Sequence, residues 1–154
     1  MGLLGFIRKK HAFFSDEEKE KIVTAIRSME KETSGEMRVY VEHKNPFMDP
    51  VDRAKEIFGK LGMDKTKSRN AVLLYIAMKH RELALFGDEG IYNATGQDYW
   101  NKAVANIISH FKGNNICEGI VHCIHEVGQT LSEKFPYDPD GDTNELPDDI
   151  VFGE

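Results

Sequence analysis

The stretch "AVLLYIAM", residues 71–78, constrains the fold of this chain more than any other feature. It is an uninterrupted apolar run of strand length, which is typical of a central strand covered on both faces. The polar break that follows, Lys79 to Arg81, is too short for a crossover connection, so the next strand, "ELALF" (82–86), must return antiparallel as a hairpin. The run therefore predicts a sheet with packed layers on both sides.

Upstream of this run, helix and strand patterns alternate. Ser15 and Glu18 have the spacing of a capping box, and an apolar stripe of helical period follows until Gly35 offers a stop. The stretch "EMRVYVE", residues 36–42, alternates apolar and polar side chains, and a second helix is expected from its N-cap Asp49 onward. Since that helix joins the first strand to the apolar run, these two strands should be parallel and the sheet mixed.

Two further helices are predicted downstream. Thr95 and Asp98 have a capping-box-like spacing at the start of the third helix, and Asn115 and Glu118 repeat the signal for the fourth. The fourth helix turns an apolar stripe inward, and its outward face carries His122, His125 and Gln129. From Pro136 onward the sequence is acidic, rich in Pro and Gly and aperiodic, as in an extended or disordered tail, in which Ile150, Val151 and Phe152 could fold back onto the domain or onto a partner.

These elements predict a single α/β domain. Its expected architecture is an α/β/α sandwich in which helices flank both faces of a mixed, mainly parallel sheet of about four strands. The predicted division of the chain is an N-terminal segment at 1–13, the α/β domain at 14–135 and the acidic tail at 136–154. The length of 154 residues suits one such domain with one core.

Composition excludes several classes of partner. The formal net charge of −6 argues against a nucleic-acid backbone or an anionic membrane surface as the main partner. The apolar run in "MGLLGFIRKK" is too short for a signal peptide or a membrane span, so no membrane insertion is expected. If Cys117 and Cys123 share one helix, they lie about 9 Å apart along its axis, too far for a relaxed disulfide. A reducing cytoplasm is the simplest compartment, and a monomer is expected.

The predicted topology gathers acidic residues at one edge of the sheet. The end of the third strand should lie beside the beginnings of the first two, which places "GDEG" (87–90) next to Glu36 and Asn70. The carboxylates expected to converge there are Glu36, Asp88, Glu89 and Asp98, with Arg69 and Asn70 supporting them from behind. Convergent oxygen atoms are what Ca²⁺ or Mg²⁺ requires, so these four residues are the candidate metal ligands.

Each of these residues also has a simpler explanation. Asp98 is equally explained by a helix start, and Glu36 by a solvated strand edge. In "GDEG" the glycines would supply the positive φ angles of a tight turn and Asp88 would shape that turn. Arg69 could neutralise the acids as a salt-bridge partner. The residues alone leave these readings open, although four acids from three separate segments at one edge favour a site.

Two other polar clusters have weaker patterns. The stretch "HCIHE", residues 122–126, puts two imidazoles three residues apart on a helix, which differs from the order of the HExxH proteases, and exposed histidines on a polar face explain it. The opposite edge of the sheet carries four basic residues: His43, Lys44, His80 and Arg81. They could bind an anion such as phosphate, and exposed charges in turns explain them equally well.

Four stretches together resemble the TPM domain family, named for thylakoid-lumen, photosystem II repair and acetylcholine-receptor accessory proteins. They are "TSGEMRVYVE", "RNAVLLYIAMKHRELALFGDEGI", "QDYW" and "FKGNNICEGI", and the resemblance covers residues 14–135. It implies an α/β/α sandwich around a mixed sheet, an acidic cleft for a divalent cation at Glu36, Asp88 and Asp98, and a proposed acid phosphatase activity. The chain departs from the family pattern at Ala71, where the family has glycine, and at Asp88 and Glu89, which partly replace a glycine-rich turn.

Two functions are compatible with this sequence. In the first, the chain is a noncatalytic module that binds a divalent cation, Ca²⁺ before Mg²⁺ or another ion, and uses it to fix loops or to recruit a protein partner. In the second, a metal in the acidic cleft acts as a Lewis acid in the hydrolysis of phosphomonoesters. The first is favoured, because the sequence offers no activated nucleophile and no histidine converges on the acidic edge. No residue is assigned a catalytic role.

Overall fold

The apolar run forms the central strand of the sheet in a computed structural model that describes residues 13–46, 49–113, 115–139 and 150–152. This strand, β2, spans Ala71–Ala77, and all of its residues are buried. Strand β1 (Glu36–Glu42) pairs parallel with one edge of β2, and β3 (Glu82–Gly87) pairs antiparallel with the other. The predicted hairpin and the mixed sheet are therefore confirmed.

Three strands of the sheet are full length, and a fourth is short. Strand β4 (Ile150–Phe152) pairs parallel with the second half of β1, which gives the order β3-β2-β1-β4. The prediction of about four strands is therefore met only if this three-residue segment is counted. The reason is that the acidic sequence after Pro136 contains no second apolar run of strand length.

Five α-helices lie within the described residues. They are α1 (Asp16–Glu30), α2 (Pro50–Lys60), α3 (Glu89–Thr95), α4 (Gln97–Lys112) and α5 (Ile116–Lys134). The capping box at the start of α1 is formed, since the Ser15 hydroxyl accepts from the Glu18 N–H and the Glu18 carboxylate accepts from the Ser15 N–H. Asp49 caps α2 by accepting from the Val51 N–H. No helix in these ranges is long and apolar enough to cross a bilayer.

Helices cover both faces of the sheet. On one face, α1, α4 and α5 enclose the larger hydrophobic cluster with the alternate strand residues Met37, Val39, Val41, Val72, Leu74, Ile76 and Leu85. On the other face, α2 supplies Ala54, Ile57 and Phe58 against Ala71, Leu73, Tyr75, Ala77 and Ala84. The second layer is thinner, and polar residues of β1 are buried alongside it.

Helix α3 is absent from the sequence-based description. The sequence pattern predicts a turn at "GDEG", whereas in the structure Asp88 is the N-cap of this seven-residue helix. The helix buries only Ile91, so it has no apolar stripe whose period could be recognised. Thr95 does not cap α4, because Thr95 is the last residue of α3 and Gly96, with a φ of 86°, takes the N-cap position.

The predicted domain boundaries at 13 and 135 stay predictions. Residues 1–12 of the N-terminal segment and 140–149 and 153–154 of the tail lie outside the described part of the chain. Within the described part of the tail, Pro136 bridges to Thr33 and β4 extends the sheet. The expected return of residues 150–152 to the domain is therefore seen in the backbone.

Two glycine substitutions test the helix packing. A Cβ at Gly128 of α5 would come within 2.5 Å of Met29 Cγ on α1, whereas a Cβ at Gly59 of α2 would meet nothing within 4 Å. We expect Gly128→Ala to lower the free energy of unfolding by about 1–3 kcal/mol, and Gly59→Ala to raise it by about 0.5–1 kcal/mol. Urea unfolding measures both, and equal effects from the two variants would contradict the packing described.

Candidate functional site

The loop before β2 and the N-terminus of α3 meet at the edge where β1 and β2 begin. Arg69 joins them: its Nε donates to Asp88 Oδ2 at 2.7 Å and its Nη2 donates to Asp88 Oδ1 at 2.9 Å. This is a bidentate ion pair, the strong form of an Arg–carboxylate contact. Asp88 is only 5% exposed, and the hydrogen bonds from Arg69 to Asp88 raise the pKa of the arginine. The salt-bridge role left open for Arg69 is therefore observed.

Backbone contacts fasten the same two segments together. The Arg69 carbonyl accepts from the Gly90 N–H at 2.9 Å and from the Ile91 N–H at 3.3 Å. A Cβ at Gly90 would lie 2.2 Å from the Ser68 carbonyl oxygen, so only glycine permits this approach. The expectation of positive φ angles in "GDEG" is wrong, because the positive-φ glycines of the described residues are Gly62 and Gly96. Gly87 and Gly90 serve close approach instead.

Glu36 and Asn70 lie at this edge, as predicted. Glu36 is opposite Ala71 in the parallel register, and its N–H donates to the Asn70 carbonyl at 3.4 Å. Asn70 is buried, and its Nδ2 donates to the Ser34 hydroxyl at 3.3 Å. Its Oδ1 is buried without a hydrogen-bond partner among the residues that the structure describes. A buried amide oxygen in this state is uncommon and calls for an explanation.

The two remaining acids are placed differently. Glu89 is exposed, and its Oε1 lies 3.3 Å from Nη1 of Arg69. Asp98 is exposed in the first turn of α4, beyond helix α3, whose seven residues span about 10 Å. Across the described ranges, no three His, Cys, Asp or Glu side chains form a group arranged to hold a metal ion. The assignment of Glu36, Asp88, Glu89 and Asp98 as metal ligands stays a prediction.

A second buried charge cluster lies at the opposite ends of β1 and β2. Arg53 of α2 donates from Nε to Glu42 Oε2 at 2.9 Å and from Nη2 to Oε1 at 2.9 Å. The Tyr75 hydroxyl also donates to Glu42 Oε2. The hydrogen bond to Glu42 raises the pKa of Arg53, and burial together with the Glu42 carboxylate raises the pKa of Tyr75. Glu42, Arg53 and Tyr75 thus provide one another's hydrogen-bond partners, and these bonds connect α2 to the sheet.

Sequence reasoning missed this cluster. Glu42 is the last polar residue of the alternating stretch 36–42, and nothing in the local sequence around Arg53 marks it as a largely buried residue. The available signal was Tyr75, a hydroxyl inside an otherwise aliphatic buried strand, because a buried tyrosine usually finds a polar partner.

The basic edge of the sheet is partly committed to the fold. Arg81 Nη1 donates to the Phe111 carbonyl at 2.9 Å near the C-terminus of α4. The His43 ring stacks on Phe13, with ring centroids 6.4 Å apart. Both residues therefore have structural roles, and an anion site at this edge stays a prediction.

Residues 7–130 match the family model of the TPM domain, which confirms the resemblance drawn from the motifs. Among solved structures, the chain is similar to the BA42 protein of the psychrophilic bacterium Bizionia argentinensis, determined by NMR. The two share 40% identity with a TM-score of 0.84, over 92% of this chain and 96% of that one.

A more distant similarity concerns the fold alone. The N-terminal domain of a protein from P. gingivalis, also an NMR structure, has 18% identity and a TM-score of 0.68, over 82% of this chain and 81% of that one. No curated protein matches the chain.

Removing Arg53 tests the buried cluster. Arg53→Ala would leave the Glu42 carboxylate buried without its bidentate partner, and we expect a loss of about 3–5 kcal/mol in the free energy of unfolding. Lys55→Ala in the same helix removes an equal charge from an exposed position and serves as the control. Urea unfolding at neutral pH measures both variants, and similar losses would contradict the described role of Arg53.

Alkaline pH tests the protonated state of Tyr75. Its folded pKa is raised, so its contribution to stability is complete below about pH 10, where the unfolded tyrosine titrates, and is lost as pH rises toward the folded pKa. We expect Tyr75→Phe to flatten the fall in stability above pH 10, and Tyr137→Phe, at an exposed position, to leave it unchanged. Both variants keep Cys123, whose pKa is raised by burial and which adds the same slope. Identical slopes in the two variants would argue against a raised Tyr75 pKa.

Proposed function

We propose that this chain, which belongs to the TPM domain family, is a noncatalytic module that binds a divalent cation at the edge formed by Glu36, Asn70, Asp88 and Glu89. The observation that carries the proposal is the buried Asn70 Oδ1, which has no hydrogen-bond partner within the described residues. Leaving such an oxygen unpaired costs about 1–3 kcal/mol. A bound cation would recover that cost.

The neighbours of Asn70 suit a hard cation. Side-chain amide and carboxylate oxygens are the ligands that Ca²⁺ and Mg²⁺ take in proteins. The Asn70 carbonyl accepts a hydrogen bond from the Glu36 N–H, and the preceding residue, Arg69, contacts Asp88 and Glu89. Ca²⁺ accepts six to eight oxygens in irregular geometry, whereas Mg²⁺ demands an octahedron, so ligands drawn from three separate segments favour Ca²⁺.

Arg69 lies between two of the acids that we propose as ligands. Its guanidinium contacts Asp88 and Glu89 together, as a divalent ion between them would. The side chain is 42% exposed and can turn toward solvent, while Asp88 Oδ1 keeps its capping bond from the Glu89 N–H at 2.8 Å. We therefore describe Arg69 as an internal competitor of the cation. Asp98 would join the ligands only through a bridging water or a shift of α3.

The proposal extends to partner and compartment. A cation at this edge would fix the 68–70 loop against α3 and present a defined surface to a protein partner. A reducing cytoplasm fits the two cysteines, which are both buried and unpaired.

The competition makes the experiment specific. We expect Ca²⁺ at about a hundredfold excess over its Kd to stabilise the wild type by about 2.7 kcal/mol, seen as a rise in Tm. Asp88→Asn should abolish the rise, and Arg69→Ala should bind Ca²⁺ more tightly than the wild type because the competitor is gone. Asp52→Asn in α2 is the charge-matched control. An unchanged Tm in both the wild type and Arg69→Ala would refute cation binding.

The same preparations distinguish binding from catalysis. We expect no metal-dependent hydrolysis of a phosphomonoester such as p-nitrophenyl phosphate by the wild type. Turnover that requires the metal and disappears in Asp88→Asn would replace the noncatalytic function with metal-dependent hydrolysis.

A further inference from the structure

Two histidines from different helices meet across the α4–α5 hairpin. The His110 ring of α4 and the His122 ring of α5 have centroids 5.4 Å apart and planes inclined by 30°. They come this close because α5 carries Gly119 against His110, where a Cβ would lie 2.7 Å from the histidine Cβ. The pair is independent of the His122–His125 spacing along one helix.

The His110 ring is already oriented as a metal ligand. Its Nδ1 lies 2.9 Å from the Asn106 carbonyl, which can only accept, so Nδ1 is the donor; in the neutral ring Nε2 then has its lone pair available for a metal. Metal-binding histidines are commonly held in this way, by a backbone carbonyl on the other ring nitrogen. Two imidazoles on one tetrahedral Zn²⁺, each with a Zn–N bond of about 2.0–2.1 Å, have centroids about 5 Å apart. The observed separation is close to that value.

A carboxylate completes the group. Glu126 Oε2 lies 3.7 Å from His122 Nε2 and accepts from Asn106 Nδ2 at 3.3 Å. Asn106 therefore contacts both His110 and Glu126, and it links the two helices through them. Two imidazole nitrogens and one carboxylate oxygen form a ligand set known for Zn²⁺, with a fourth position left for water.

We propose that His110, His122 and Glu126 bind a borderline transition-metal ion, with Zn²⁺ as its representative, and that this ion clamps α4 to α5. Within the described ranges, no three His, Cys, Asp or Glu side chains lie in an arrangement that could hold a metal ion. Binding therefore requires a change of side-chain rotamer. That change is inexpensive, because His122 is 57% and Glu126 31% exposed. The histidines also line a groove of about 910 Å³ between α1 and α5, which gives the ion a path.

This site differs from the acidic edge in place and chemistry. His110 lies twelve residues after Asp98 in α4, about 18 Å along the helix axis. Its nitrogen ligands suit Zn²⁺, Ni²⁺ or Cu²⁺, whereas the all-oxygen edge suits Ca²⁺ or Mg²⁺. The two sites can therefore be tested separately, and failure of one leaves the other standing.

The test is a calorimetric titration of the full chain with Zn²⁺. We expect one ion per chain, and we expect His110→Gln and His122→Ala each to weaken binding by about tenfold or more. His80→Ala is the control, because His80 is an exposed histidine in the turn between β2 and β3 and does not line the groove that holds His110, His122 and His125. It should leave the affinity unchanged, as should Asp88→Asn.

Two outcomes would overturn the proposal. One is a wild type that binds no Zn²⁺, and the other is a His80→Ala variant that loses as much affinity as His122→Ala, which would mean nonspecific binding to surface histidines. Because His122 is exposed, His122→Ala should leave the fold intact. A loss of Zn²⁺ affinity in this variant would therefore reflect the lost ligand and not unfolding. A rise in Tm with Zn²⁺ that is absent in His122→Ala would support the clamp between α4 and α5.

Discussion

The burial of β2 on both faces is the constraint on which the rest of the structure depends. Seven consecutive residues without exposure require a helical layer on each side of the sheet, and the chain supplies α1, α4 and α5 on one side and α2 on the other. Polar groups in this interior must then be paired where they occur. The Tyr75 hydroxyl meets this demand through Glu42, and Glu42 in turn requires Arg53.

At each end of the sheet, an arginine pairs with a buried carboxylate, but the two ion pairs differ in their exposure to solvent. At one end Arg53 holds Glu42, and at the other Arg69 holds Asp88, each through two hydrogen bonds. Arg53 is 12% exposed and packs within α2, so its pair is closed to ligands. Arg69 is far more exposed and belongs to a loop, so its pair can open without unfolding a helix. This difference distinguishes the Asp88 end, which holds the candidate site, from the closed pair at the Glu42 end.

Much of this architecture could be predicted from local patterns. The apolar run and its short polar break specify the hairpin, and Ser15 and Asp49 specify helix starts, because in these cases the cause lies within a few residues of the effect. The pairs Arg53–Glu42 and Arg69–Asp88 could not be predicted with the same force, since each joins residues 11 or 19 positions apart through the assembled sheet. Helix α3 was not predicted for a different reason: it buries a single residue, so its sequence shows no helical periodicity of apolar residues. The sequence analysis explained Gly87 and Gly90 by positive φ angles. In the structure both are glycine because a Cβ at either position would clash with neighbouring atoms.

The space at Gly87 has a practical consequence. The sequence contains one tryptophan, Trp100, and its buried ring lies so close to Gly87 that a Cβ there would be 2.6 Å from it. Gly87 is the neighbour of Asp88, and helix α3 connects both to the segment that carries Trp100. Any rearrangement at the Arg69–Asp88 pair therefore takes place beside the single indole of the protein. The native chain carries a built-in fluorophore at its candidate site, and the emission of that fluorophore reports on that edge without a label.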